Sequence, residues 1–155
     1  MEIELQNQEE TGRLAKIIGE VAVSCDVLIL AGGLGVGKTT LTKGIAVGLG
    51  IEKMIKSPTY TIIREYFDGR IPLYHMDLYR VKNEIDELGL DDYFEADGLS
   101  VIEWGKFLGE CLPKNYVEIT LQKSSEETQR VAKFCSVGSK GSDFYQRIQE
   151  KCLDC

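Results

Sequence analysis

VLILAGGLGVGKTT, residues 27–40, is the stretch that decides the fold, because it joins an apolar run to a glycine-rich turn and a helix start. Its second half has the spacing of a phosphate-binding loop: Gly32, four residues, then Gly-Lys-Thr at 37–39. Glycine takes positive φ and lacks a Cβ, so Gly32, Gly35 and Gly37 allow several backbone N–H groups to converge on phosphate oxygens. The stretch predicts a nucleoside triphosphate site on a strand–loop–helix unit.

The remaining residues of the loop have expected tasks. The N-terminal dipole of the following helix attracts the phosphates, and Lys38 places an ammonium near the β and γ phosphates. The Thr39 hydroxyl is an expected ligand of Mg²⁺, while Val36 and Thr40 complete the cradle. The alternative, a glycine-rich turn that binds nothing, is disfavoured because a strand and a helix flank the loop as the motif requires.

Composition limits the class of protein. At 155 residues with 43% hydrophobic side chains, the chain is expected to form one domain over residues 1–155. The apolar runs are far shorter than a membrane span, and the polar, acidic residues 1–10 do not resemble a signal or transit peptide, so we expect a cytoplasmic protein. The net charge of −7 repels a phosphate backbone, so any RNA is expected to be held by a partner.

The five cysteines favour reduced thiols, because their number is odd and a domain of this size does not need disulfides. Cys152 and Cys155 form one C-x-x-C at the C-terminus. No second pair accompanies it, so a frayed tail is favoured over a metal or redox site.

Strand and helix patterns alternate along the chain and are interrupted by one ribbon. Asp68-Gly69 is a hairpin signal between an extended run that ends at Tyr66-Phe67 and a return strand over 71–74. The carboxylate-rich segment 83–93 has the pattern of a solvated helical face, with a docking surface as the alternative, and a closing helix is expected over 143–152 with Ser142 as N-cap. The order predicts a three-layer α/β domain.

The other predicted elements complete this alternation. Asn7 and Glu10 have the spacing of a capping box at the start of the first helix, and Gly50 is the expected end of the helix after the phosphate loop. Further strands are expected near Ile3 and Leu5 and over 99–103, 117–121 and 131–137, with a short helix before Pro113.

Two carboxylates end apolar runs, and hydrolysis needs such groups. Asp77 follows residues 73–76 and is the expected second anchor of Mg²⁺. Glu103 follows residues 99–102 and is expected either to position the attacking water or to share the metal. The alternative for each is a carboxylate that faces solvent at a strand end.

Four further residues have open assignments. Thr59 is either a switch hydroxyl that senses the γ phosphate or part of a simple turn. His75, the single histidine, is assigned as structural or as a support for Asp77. Arg80 is assigned as a surface or salt-bridged arginine rather than as a group that stabilises developing negative charge, and Trp104 either stacks on a base or partner or packs in the core.

Three separated motifs occur together: GGLGVGKTT at 32–40, SPTYT at 57–61 with YHMDLYR at 74–80, and IEW at 102–104. In this combination the chain resembles, over about residues 3–137, the bacterial TsaE family (older name YjeE), the ATPase needed for the tRNA threonylcarbamoyladenosine modification. The resemblance implies a P-loop NTPase-type three-layer sandwich with a mixed, mostly parallel central sheet and an antiparallel ribbon. It also implies weak Mg²⁺-dependent ATP hydrolysis and work with the TsaB and TsaD proteins, with tRNA contacted through these partners.

The resemblance also implies roles by position. They are phosphate binding for Lys38 and its loop, Mg²⁺ coordination for Thr39 and Asp77, a second essential carboxylate in Glu103, and the switch threonine in Thr59. Thr11 falls where family members carry a threonine near the nucleotide, and Arg130 lies on a late strand that reaches towards the same pocket. Two loop positions depart from the family, since Gly33 replaces a frequent acidic residue and Val36 replaces alanine.

Two other functions remain open at this stage. One is a binding module gated by its nucleotide, in which turnover is incidental. The other is a small P-loop kinase, which is disfavoured because no second arginine cluster is present for an acceptor phosphate. A GTPase is disfavoured because the chain has no N-K-x-D motif.

Overall fold

The computed structural model describes residues 1–33, 35–56, 63–79 and 88–153. In these ranges, seven strands form a sheet in the order β1-β7-β6-β2-β5-β4-β3. The strands are Glu2–Leu5 (β1), Val27–Ala31 (β2), Ile63–Tyr66 (β3), Leu73–Asp77 (β4), Leu99–Glu103 (β5), Tyr116–Lys123 (β6) and Arg130–Val137 (β7). The helices are Gln8–Val21 (α1), Lys38–Leu49 (α2), Leu90–Phe94 (α3) and Gly138–Leu153 (α4), with a 3₁₀ helix over Gly105–Cys111.

The centre of the sheet is parallel and its margins are antiparallel. Strands β6, β2, β5 and β4 run in one direction, whereas β7 opposes β6, β1 opposes β7, and β3 opposes β4. The predicted mixed, mostly parallel sheet with an antiparallel ribbon is confirmed. Parallel strands end at one edge, and the register there pairs Leu30 with Glu103 and Glu103 with Asp77. This edge places Asp77 and Glu103 side by side, next to the end of β2.

Both faces of the central strands are covered. Helices α1, α2 and α4 pack on one face, and α3 with the 3₁₀ helix packs on the other. Strand β2 is apolar along its length for this reason: Leu28 and Leu30 join the first cluster, and Val27 and Ile29 join the second. The phosphate loop therefore follows a strand that is covered on both faces.

Helices α1 and α2 pack backbone to backbone at three glycines. A Cβ at Gly48 would overlap the carbonyl oxygen of Lys16, and one at Gly19 would overlap that of Ile45. A Cβ at Gly44 would lie 2.5 Å from the Cβ of Ala15. The position of α2, which begins at the phosphate loop, thus depends on these missing side chains.

The Gly48→Ala substitution is expected to lower the free energy of unfolding by about 1–3 kcal/mol, because the added methyl forces the two helices apart. Gly12→Ala in α1 is the matched control, since a methyl group added there would meet no atom within 4 Å. That change is expected to be neutral or stabilising by up to about 1 kcal/mol. Urea denaturation measures both, and equal effects of the two changes would contradict the close packing.

The expected tight turn at Asp68-Gly69 is wrong in its details. Strands β3 and β4 are joined by residues 67–72, and the return strand is Leu73–Asp77 rather than 71–74. The Asp68 carboxylate accepts the backbone N–H of Glu52 at 3.2 Å, and Gly69 packs against the end of α2. A tertiary contact with the helix end, absent from local turn propensity, therefore determines this connection.

The C-terminal helix is longer than expected and belongs to the core. It begins at Gly138 instead of 143, directly after β7, so Ser142 lies inside it. Phe144 and Ile148 are buried, and Arg147 donates to both oxygens of Asp26 at 3.1 and 3.2 Å. Burial raises the pKa of Asp26, which Arg147 only partly offsets. No helix in the described residues is both long and apolar enough to cross a membrane.

Parts of two predictions lie outside the described residues. They are the SPTYT motif with Thr59 and the first half of the carboxylate-rich segment, and Arg80 lies outside the described residues as well. In the described second half, the helix spans Leu90–Phe94. The predictions for Thr59 and Arg80 stay predictions.

Candidate nucleotide-binding site

The glycines of the loop have the backbone angles that the motif needs. Gly32, Gly35 and Gly37 have φ values of +137°, +75° and +110°, which a residue with a Cβ adopts only under strain. Gly37 precedes α2 and has no side chain to cap the helix. The first N–H groups of α2 therefore have no side-chain cap, and a helix N-terminus of this kind favours an anion.

A cavity of about 390 Å³ opens at this edge of the sheet. It brings together most of the predicted site residues, and it adds Gln8 and Trp104. The predicted residues that line it are Gly35, Gly37, Lys38, Thr39, Thr40, Asp77, Glu103 and Arg130. Residues far apart in the chain thus meet at one concave surface, because β2, β4 and β5 end together.

Lys38 is held in the wall of this cavity. Lys38 is only 7% exposed, and its ammonium donates a hydrogen bond to the carbonyl oxygen of Gly32 at 3.1 Å. The same ammonium lies 4.2 Å from the ring centroid of Trp104, a cation–π distance. Trp104 thus contacts the key cation of the loop, which neither sequence alternative for this residue anticipated.

Glu103 is buried and bonded to His75. The Nε2 atom of His75 lies 2.7 Å from the Oε2 atom of Glu103, and the two residues are 0% and 6% exposed. The Nδ1 atom of His75 is buried and has no hydrogen-bond partner in the described structure. The tautomer with hydrogen on Nε2 fits both facts, because a hydrogen on Nδ1 would be an unpaired buried donor. His75 therefore supports Glu103 rather than Asp77.

Asp77 is in a wetter environment than Glu103. It is half-buried at the end of β4, and its Oδ1 atom accepts the backbone N–H of Tyr79 at 3.1 Å. Glu103 lies directly opposite Asp77 on the neighbouring strand, and it is buried and hydrogen-bonded to the side chain of His75. Two neighbouring carboxylates with different supports are suited to different tasks.

Arg130 both lines the cavity and braces the loop. Its Nε donates to the carbonyl oxygen of Val36 at 2.8 Å, and its Nη1 donates to the carbonyls of Glu127 and Gln129. Thr11 is buried on α1, and its hydroxyl donates to the carbonyl of Asn7 at 3.3 Å. The structure brings Arg130 to the loop, while Thr11 does not line the cavity.

The backbone turns sharply right after Glu103. Trp104 has a φ of +62°, a left-handed conformation that costs a residue with a Cβ about 1–2 kcal/mol. The turn points the indole to Lys38 and to the rings of Tyr79 and Phe107, whose centroids are 5.0 and 6.1 Å away. Its only sequence signal is its position next to Glu103 at a strand end.

Replacing His75 with leucine is expected to destabilise the fold by about 1–3 kcal/mol, because it leaves the buried Glu103 carboxylate without its hydrogen-bond donor. Adding Glu103→Gln to this variant is expected to recover part of the loss, since a neutral amide costs less to bury than a carboxylate. Urea denaturation of both variants measures the difference. A double variant no more stable than His75→Leu would contradict this account.

Comparisons with known proteins agree with this geometry. The family model described as "Threonylcarbamoyl adenosine biosynthesis protein TsaE" matches residues 5–132. A "tRNA threonylcarbamoyladenosine biosynthesis protein TsaE" from Bacillus subtilis (strain 168) is 46% identical over 134 residues, which cover 86% of this chain and 84% of the relative. A protein of the same description from Nostoc sp. is 40% identical over 131 residues, covering 81% and 80%.

Among solved structures, a crystal structure of Bacillus subtilis YdiB superposes with a TM-score of 0.86 at 39% identity. The match covers 97% of this chain and 94% of that one. With the family model matching most of the chain, the fold and the sequence lead to one conclusion. The chain belongs to the TsaE family of tRNA threonylcarbamoyladenosine biosynthesis proteins.

Proposed function

We propose that this protein is a Mg²⁺-dependent ATPase whose ATP binding and hydrolysis support the modification of tRNA to N6-threonylcarbamoyladenosine at position 37. The observation that carries the proposal is the cavity in which Lys38 and Thr39 of the loop face Asp77 and Glu103. The names of the relatives support the biosynthetic role.

The loop supplies what a triphosphate needs. Three glycines with positive φ and the uncapped start of α2 offer backbone N–H groups, and Lys38 offers a positive charge. Arg130 holds the carbonyl of Val36 and so keeps the loop in shape. In this proposal Gly32, Gly35, Val36, Gly37, Thr40 and Arg130 bind nucleotide.

The oxygen ligands in the cavity wall suit Mg²⁺ that is bound together with a nucleotide better than they suit a metal ion that protein side chains alone coordinate. No group of three or more His, Cys, Asp or Glu side chains suited to a metal occurs among the described residues. Mg²⁺ usually takes one or two carboxylates and completes its shell with phosphate oxygens and water. Asp77, Glu103 and the Thr39 hydroxyl, all in the cavity wall, match that arrangement. A bound Mg²⁺ would neutralise negative charge on the phosphates.

The two carboxylates divide the work according to their surroundings. Asp77 is half-buried and accepts a backbone N–H, which suits a metal ligand with water nearby. One oxygen of Glu103 is held by His75, which leaves the other to orient the attacking water or to share the metal. Lys38 stabilises the charge that develops on the phosphates, and Thr59 is assigned to sensing the γ phosphate.

The proposed partners are the TsaB and TsaD proteins, and they rather than this chain hold the tRNA. The net charge of −7 supports this division, because it opposes direct binding of a polyanion. The proposed place of action is the cytoplasm.

The decisive experiment measures ATP turnover by the purified chain with Mg²⁺, alone and with TsaB and TsaD. We expect slow turnover alone and stimulation by the two partners. Absence of stimulation would contradict the role with these partners, and failure to bind ATP would contradict the proposal altogether.

A further inference from the structure

Two buried nitrogen atoms on neighbouring strands have no hydrogen-bond partner among the described residues. They are the Nε atom of Arg64 on β3 and the Nδ1 atom of His75 on β4. The antiparallel register of these strands pairs Arg64 directly with His75. Side chains that oppose each other in such a pair lie on one face of the sheet, with Cβ atoms about 4.5–5.5 Å apart. The side chains of Arg64 and His75 are therefore neighbours on one face.

The two nitrogens are complementary. The Nε atom of an arginine always carries a hydrogen, so it is a donor. The Nδ1 atom of His75 is an acceptor, because the hydrogen of the neutral ring lies on Nε2, which is bonded to Glu103. Burying either atom without a partner is unfavourable, and one hydrogen-bonded path between them satisfies both.

The surroundings of Arg64 give its side chain no other described role. Arg64 is half-buried and shares its face of the sheet with Tyr66 and Leu73, which belong to the core cluster under α1 and α2. Its guanidinium forms no ion pair with any residue that the structure describes. A salt bridge in this part of the chain therefore does not account for an arginine at this position, whereas the adjacent acceptor on His75 does.

We propose that Arg64 is a positioning residue for Glu103. Its Nε–H is hydrogen-bonded through one buried water to Nδ1 of His75, and this holds the Nε2–H of His75 on the Glu103 carboxylate. A water molecule is able to accept from Nε and to donate to Nδ1, and buried waters typically bond to polar groups that lack other partners. A hydrogen bond at one ring nitrogen of histidine fixes the tautomer and the orientation of the other. The inference rests on the proposed function, because it concerns the carboxylate assigned to the attacking water or the metal.

Two substitutions separate the Nε–H of Arg64 from its charge. In Arg64→Gln the amide nitrogen stands the same number of bonds from Cα as Nε does, so an N–H remains at that depth while the charge is lost. In Arg64→Lys the charge remains, but a methylene group replaces Nε. We expect Arg64→Lys to lower kcat for ATP hydrolysis about tenfold with KM little changed, and Arg64→Gln to keep the wild-type kcat. A role for the charge alone gives the reverse order.

Nitrogen-15 NMR of the histidine ring detects the same hydrogen bond without nucleotide. His75 is the only histidine of the chain, so the full chain, labelled with ¹⁵N-histidine and purified without a histidine tag, gives the ring signals of one residue. The signal of a ring nitrogen without hydrogen moves to higher field when that nitrogen accepts a hydrogen bond. We expect Arg64→Lys to move the Nδ1 signal to lower field than in the wild type, and Arg64→Gln to leave it in place.

Glu65→Gln is the matched control, because Glu65 is the next residue of β3 and its side chain lies on the opposite face, across from Tyr74. This change is expected to leave both the Nδ1 signal and kcat unchanged. Arg64→Met, which also lacks a donor at the depth of Nε, repeats the NMR measurement in case Arg64→Lys does not fold.

The outcomes are distinct. An Nδ1 signal that is identical in the wild type and Arg64→Lys would overturn the proposal, as would a wild-type ring that carries hydrogen on Nδ1. Loss of turnover in Arg64→Gln would overturn it too, because an N–H at the depth of Nε would then not suffice. A shifted Nδ1 signal with unchanged kcat in Arg64→Lys would reject the positioning role. Absence of ATP turnover in the wild type would instead reject the proposed function, whereas the NMR result would still decide whether the hydrogen bond exists.

Discussion

Replacing Lys38 with alanine is expected to reduce ATP turnover by roughly 10²–10³-fold and to weaken ATP binding, because Lys38 supplies the only ammonium that lines the cavity among the described residues. Lys38 is buried in the folded protein, and it lines the cavity. The measurements are steady-state ATP hydrolysis and calorimetric titration with ATP and Mg²⁺.

Lys43→Ala is the matched control for this change. Lys43 lies on the exposed side of the same helix and does not line the cavity. The Lys43→Ala substitution removes the same charge from the chain as Lys38→Ala does, so a general electrostatic effect would appear in both variants. Unchanged binding and unchanged turnover in Lys38→Ala would refute the assignment of the loop.

Replacing Glu103 with glutamine is expected to lower ATP turnover by a hundredfold or more, roughly the contribution of a positioned acid or base, while ATP still binds. The amide oxygen of glutamine is able to accept the same hydrogen bond from His75, so the local structure is expected to remain. Turnover and tRNA modification are measured together with TsaB and TsaD. We expect both to be lost.

This variant also decides between the ATPase and a binding module gated by nucleotide. The gated module predicts that Glu103→Gln, still able to bind ATP, supports modification fully. Glu110→Gln is the control, because Glu110 is exposed on the neighbouring 3₁₀ helix and lies outside the nucleotide cavity. Full modification without turnover would favour the gated module.

The fold was largely predictable because its signals are local. The buried run before the loop, the Asn7 and Glu10 capping pattern and the helix end at Gly50 all correspond to observed features: the Asn7 side chain accepts the N–H of Glu10 at 2.9 Å, and Gly50 has a φ of +81°. The connection at Asp68-Gly69 was mispredicted because its shape depends on packing against the end of α2.

The site was predictable in its members but not in its contacts. Apolar runs that end in Asp77 and Glu103 are visible in the sequence, and parallel strands bring such ends together. The partner of His75 is not visible there, because the choice between Asp77 and Glu103 depends on which way the side chains point across two strands. Trp104 gave no signal for its contact with Lys38, since that contact follows from a left-handed turn.

The sequence by itself determined that residues 27–40 form a strand, a phosphate-type loop and a helix, because glycine spacing acts through the local backbone. Only the tertiary structure decided that His75 holds Glu103 from 28 residues away and that the ammonium of Lys38 lies over the ring of Trp104. Both depend on strand register and on the path of the chain after β5, which arise when distant segments pack together.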